Sequence, residues 1–183
     1  KYMSQAKLFP YLARFLLNAK AANYKIYVVS HKTKYGHFDR AKYDLRKEAM
    51  KWMRANDFFD KKVLCINPKN IFFCNSQSEK IKKINELKLD FFIDDLESVL
   101  TDKNFSQKTK KIYFSNNICN SEKLIHKKDW LSINKFFFNN DNSIIKYFIN
   151  LKEINIRYKS IFKIKGRANS EIFKITTYDK KKF

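Results

Sequence analysis

Apolar positions recur at helical spacing near the start of the chain and then at strand spacing. Over residues 5 to 22, Leu8, Leu12, Phe15, Leu16 and Ala19 fall on one helical face. Pro10 fits only an early turn or a kink, and Asn23 is a helix stop. The run from Lys25 to Ser30 is β-branched and aromatic and predicts a buried strand. Residues 31 to 38 read as a loop. Asp39 to Asn56 predicts an amphipathic helix capped by Asp39, with Tyr43, Ala49, Met50, Trp52 and Met53 on its apolar side. Residues 58 to 68 are irregular, with a candidate strand at Val63 to Ile66. Asn70 to Cys74 predicts a second strand. Ser76 or Ser78 caps the helix that follows, running to Leu87. Leu89 to Ile93 predicts a third strand ending on Asp94-Asp95, a short helix follows at 96 to 100, and Lys111 to Ser115 predicts a fourth strand.

The order over residues 5 to 115 is therefore helix, strand, repeated four times. Strands separated by helices pack as right-handed crossovers. The predicted class is α/β: a three-layer, Rossmann-like parallel sheet with helices on both faces, over residues 1 to 138. Such sheets bind ligands beyond the carboxyl ends of their strands. Ser30, Asn75, Asp94, Asp95 and Ser115 all fall at those ends.

The remainder is less regular. Residues 116 to 142 are rich in Asn and Lys, with Trp130-Leu131 and Phe136 to Phe138 as apolar anchors. Residues 139 to 159 read as a linker with a helix at Ile144 to Leu151. Ser160 to Ile164, a turn at 165 to 170 and Glu171 to Thr177 predict a β-hairpin, placed at the start of a second domain over residues 160 to 183.

Composition narrows the classes. The chain has 183 residues with 2 Gly and 2 Pro, which excludes collagen-like and Pro-rich proteins. No run of about 18 apolar residues predicts a membrane span. Three cysteines without a CxxC pair fit neither a closed disulfide framework nor a zinc site, and a cytoplasmic setting is expected. Cys65 and Cys74 read as small hydrophobes. The net charge of +21 invites nucleic acid. It comes overwhelmingly from scattered Lys rather than Arg, and with the excess of Asn, Ile, Phe and Tyr it reads as a coding bias with lysines on solvated faces.

The strand-end residues have a chemical use. Adjacent carboxylates repel unless a cation joins them, and Mg²⁺ takes such oxygens while keeping waters. A strand-end hydroxyl can donate to a phosphate oxygen, and a Lys at a helix start can neutralise phosphoryl charge. Ser30, Lys80 and the Asp94-Asp95 doublet supply those groups in order. The set resembles the haloacid dehalogenase-like phosphohydrolase superfamily. Lys25 to His31 (KIYVVSH) is similar to its second motif, Ser78-Glu79-Lys80 to its third, and Phe91 to Asp95 (FFIDD) to its fourth. The resemblance implies an Mg²⁺-dependent phosphatase acting on a phosphorylated small molecule. Ser30 and Lys80 would be the catalytic residues within this chain. Ser30, His31 and Lys80 would hold the phosphoryl group, and Asp94 and Asp95 the metal. The family's first motif, Asp-x-Asp, has no counterpart, because residues 1 to 24 contain no Asp. The resemblance thus implies either a fragment of a larger hydrolase or a non-catalytic member, since the attacking carboxylate is absent.

The segment Ile164 to Thr177 resembles the opening hairpin of the aminoglycoside phosphotransferase and choline kinase family. There Gly166, Asn169 and Ser170 would lie over nucleotide phosphates, implying a hydrolase joined to a kinase. The alternative to an enzyme is a basic binding module for RNA or another polyanion.

Overall fold

A computed structural model describes residues 5–36, 40–61, 63–117, 119, 121–138, 158–164 and 172–177. Helix α1 (Leu12–Ala21) begins after Pro10, with Tyr11 in the left-handed region at φ 65°. It is shorter than the predicted span because a proline cannot continue the helical hydrogen-bond ladder upstream. Asn23, at φ 60°, stops it as expected. Strand β1 (Val28–His31) follows. Helix α2 (Leu45–Ala55) starts later than predicted. Its cap is Asp44, whose carboxylate accepts the Arg46 and Lys47 amides at 3.0 Å each. Residues 40–44 are not helical, and Asp39 lies outside the described residues.

The expected strand at 63–66 does not form. That stretch holds Cys65 at φ 55° and is followed by a short 3₁₀ turn (Pro68–Asn70). Cys65 is exposed, correcting its reading as a small hydrophobe, whereas Cys74 is buried. Then come β2 (Ile71–Cys74), α3 (Gln77–Leu87), β3 (Phe91–Asp94), α4 (Glu97–Leu100) and β4 (Lys110–Phe114).

Two elements of the Asn- and Lys-rich segment were not predicted: β5 (Ile125–Lys127) and α5 (Trp130–Phe138). The first is a three-residue edge strand whose central His126 is exposed, so it lacks an apolar run. The second starts on a reciprocal cap: Asp129 accepts the Ser132 amide at 2.7 Å, and the Ser132 hydroxyl accepts the Asp129 amide at 3.3 Å. Trp130 does anchor this segment, its ring lying 5.4 Å from Phe114 and 5.2 Å from Phe15.

The fold is α/β with parallel strands. β1 pairs with β2, β3 with β4, and β4 with β5, all in parallel. The strands form two hydrogen-bonded groups, β1-β2 and β3-β4-β5, rather than one continuous ladder. A shared core unites the groups. Val29, Cys74, Phe92 and Tyr113 point to one face, where Ile81 and Ile84 of α3 and Val99 and Leu100 of α4 cover them. On the opposite face, Val28 and Ile71 pack against Leu16 of α1 and Met53 of α2. On that side Phe137 of α5 meets Phe91 at 4.8 Å and Phe15 of α1 at 5.5 Å. Each fully buried Leu or Ile contributes about 1.5–3 kcal/mol through lost water contact. Ile84 and Leu100 are among the best sealed, at 0% exposure.

The hairpin forms where expected: β6 (Tyr158–Ile164) and β7 (Ile172–Thr177) are antiparallel. The helix expected at 144–151, the linker 139–143, and the turn bearing Gly166, Asn169 and Ser170 lie outside the described residues. Among the described residues, no helix is long and apolar enough to cross a membrane.

Candidate functional site

Four turns emerge from the carboxyl ends of the strands. Ser30 and His31 close β1, Asn75 and Ser76 follow β2, Asp94 and Asp95 end β3, and Ser115 follows β4. Ser76 caps α3 by accepting the Glu79 amide at 3.1 Å. Glu79 folds back and accepts the Asn75 amide at 2.7 Å, so the first turn of α3 is fixed at its root. That capped turn aims Lys80 inward.

Lys80 and Asp94 meet there. They form an ion pair between Nζ and Oδ2, with side chains only 8% and 5% exposed. The second Asp94 oxygen accepts the Leu96 amide at 3.0 Å. The Lys80 ammonium also stands 5.6 Å from the centre of the Phe92 ring. Strand alternation explains the meeting. Asp94 has the parity of Phe92, which faces the α3 side of the sheet, and Lys80 descends from α3 onto that face. A charge buried this deeply persists only when paired and hydrogen-bonded.

The other predicted residues are placed differently. Asp95 is exposed, immediately beyond the pair. Ser30 is half-buried in β1, in register with Phe73. Its parity is that of Val28, whose side packs against α1 and α2, so its side chain leaves the sheet on the face away from Lys80. Among the described residues, no hydrogen bond joins its hydroxyl to Lys80, Asp94 or Asp95. His31 has the parity of Val29, and its Nε2 lies 3.0 Å from the Asn75 carbonyl oxygen. The structure thus brings Lys80, Asp94 and Asp95 to one strand end and joins His31 to the neighbouring turn, with Ser30 outside both contacts.

Arg46, in the first turn of α2, is a further member of this rim. Its Nε donates to the Lys32 carbonyl at 2.9 Å and a terminal nitrogen donates to the Asn75 side-chain oxygen at 2.6 Å. It ties the turn after β1 to the turn after β2. Nothing in the local sequence signals this, because the two turns are far apart along the chain.

The oxygens are hard donors of the kind Mg²⁺ accepts, and one or two carboxylates completed by water and phosphate oxygens suffice for that ion. Among the described residues, Asp95 is the uncommitted carboxylate of the doublet, since both Asp94 oxygens already have protein donors. Among the described residues, no group of three or more His, Cys, Asp or Glu side chains could hold a metal. The chain therefore offers a partial donor set. No family model, no curated protein and no solved structure matches this chain, so its likeness to the haloacid dehalogenase-like group rests on the residues themselves.

Proposed function

We propose that this chain is a phosphate-handling domain of the haloacid dehalogenase-like phosphohydrolase type. The observation that supports the reading most is the buried Lys80–Asp94 pair at the carboxyl end of a parallel strand, beside the exposed Asp95. A lysine held by a buried aspartate is a positive group fixed in place, and a fixed charge stabilises phosphoryl oxygens without reorganisation. Lys80 orients and neutralises the phosphoryl group of a phosphorylated small molecule. Asp94 sets the position of the Lys80 ammonium. His31, tethered to the turn after β2, lines the approach, and Ser30 contributes only if its strand end turns toward that face. Mg²⁺ held at Asp95, beside Asp94, would screen phosphate charge. The carboxylate that attacks phosphorus in the family has no counterpart among residues 1 to 24, so the reading for this chain is phosphate and metal binding, and hydrolysis belongs to a protein that also supplies that Asp.

The test is calorimetric titration of the chain with inorganic phosphate and Mg²⁺ together. Asp95→Asn is expected to weaken Mg²⁺ binding about tenfold with phosphate-only binding retained. Lys80→Gln is expected to abolish phosphate binding at the site, while Lys80→Arg keeps part of it. Phosphate binding that is indifferent to Lys80→Gln, in a protein whose circular dichroism is unchanged, overturns the reading.

A further inference from the structure

At the far end of the sheet from Lys80 lies a second polar cleft, of about 730 Å³, which the phosphohydrolase reading leaves unused. Its walls are the amino ends of β4 and β5, the loop between α4 and β4, and the turn at 121–124. Lys103, Lys110, Lys111 and Lys123 line it, against two carboxylates, Asp102 and Glu122. Among the described residues none of the four lysines forms an ion pair.

Lys111 is the centre of the arrangement. Its parity in β4 matches that of Tyr113, so it points to the face covered by α3 and α4. There its Nζ lies 4.6 Å from the centre of the Phe105 ring, a side chain only 1% exposed. Burial, followed by the nearby Lys123 charge, holds the Lys111 ammonium below its ordinary range, and Asp102 offsets this in part. Lys111 and Lys123 line the same half-enclosed cleft, where a counter-ion placed between them lowers the energy of both. One with more than a single negative charge suits both at once. Thr101 and Ser121 add hydroxyls to the wall. Lysine binds phosphate as a point charge, without the directional fork of arginine.

We propose that this cleft binds a phosphate oxyanion, with Lys111 and Lys123 as the paired cationic contacts. The phosphate can come from a free polyphosphate or from the backbone of a single-stranded nucleic acid, and the two sources separate in one experiment. The whole chain is titrated with pyrophosphate and with a short oligothymidylate, following the lysine side-chain resonances by NMR. Lys111→Gln and Lys123→Gln are each expected to weaken binding about tenfold. Lys111→Arg is expected to retain it, and Lys51→Gln, on α2, to leave it unchanged. Saturable binding of pyrophosphate alone identifies a free ligand. Oligothymidylate binding that falls with salt on a log–log slope, and loses slope in both Gln variants, identifies a nucleic-acid backbone. Absence of saturable binding by both probes, or an equal loss in Lys51→Gln, overturns the proposal. Because Lys80 is remote from this cleft, Lys80→Gln separates failure here from failure at the strand-end site.

Discussion

Replacing Lys80 by Met removes one member of an ion pair whose side chains are 8% and 5% exposed. The Asp94 carboxylate is then left in the interior with a single protein donor, the Leu96 amide at 3.0 Å. Removing one partner of a buried pair costs about 3–5 kcal/mol, because the survivor keeps its desolvation penalty without its attraction. The remaining amide contact places this case near the lower end, about 3 kcal/mol. With a urea slope of about 2 kcal/mol per molar, the unfolding midpoint is expected to fall by about 1.5 M. Asp94→Leu is expected to cost a similar amount, softened by the Phe92 ring 5.6 Å from the ammonium. The double variant Lys80→Met/Asp94→Leu removes both charges. It is expected to be clearly more stable than the sum of the single losses predicts, by at least about 2 kcal/mol, leaving mainly the lost Leu96 amide contact. Urea unfolding of the four proteins by circular dichroism closes the cycle. A loss below about 1 kcal/mol for Lys80→Met is the size of an exposed pair. That result, or additive single losses, would refute the buried, coupled pair on which the site is built.

Burial, reinforced by the negative charge of Glu79, pushes the Cys74 thiol above its ordinary range. Ellman's reagent at about pH 8 is therefore expected to modify the exposed Cys65 first and Cys74 only after unfolding, and labelling of Cys74 at the Cys65 rate would contradict that. Asp129→Ala is expected to cost about 1 kcal/mol by uncapping α5, measured as a lowered urea midpoint. The hydrogen bond from the Ser132 amide holds the Asp129 carboxyl below its usual value. A carboxylate whose folded value is depressed adds stability that is full above its unfolded value and vanishes as pH falls through the folded one. Acid titration should therefore narrow the gap between wild type and Asp129→Ala, and a gap that widens toward low pH contradicts the assignment.

Local chemistry made much of the chain legible. The caps, the proline before α1, the β-branched and aromatic strand runs and the helix-strand alternation are short-range features. The serines at 76 and 78 announced α3, either being able to cap it; Ser76 does so, and Glu79 folds back onto the Asn75 amide within the same turn. The hairpin was readable for the same reason, from two apolar runs around a turn. Weak local signals failed. β5 is three residues long and lies at a sheet edge, while α2 began five residues after the position that Asp39 suggested because Asp44 reaches two free amides there.

The site divides in the same way. That Asp94 and Lys80 would stand at a strand end and a helix start followed from pattern alone. Whether they touch is a long-range matter, decided by how α3 crosses from β2 to β3 and by the parity of Asp94 in its strand. Parity also sends Ser30 to the face opposite Lys80 and Asp94, although Ser30 and Asp94 both follow apolar runs of similar appearance. The tie of Arg46 to two separate turns and the convergence of Lys111 and Lys123 on one cleft were likewise invisible along the chain. Sequence therefore determined most of the elements, since backbone preference and hydrophobic period act over a few residues. Tertiary structure alone decided which charges meet, because electrostatic energy depends on distances that only packing sets.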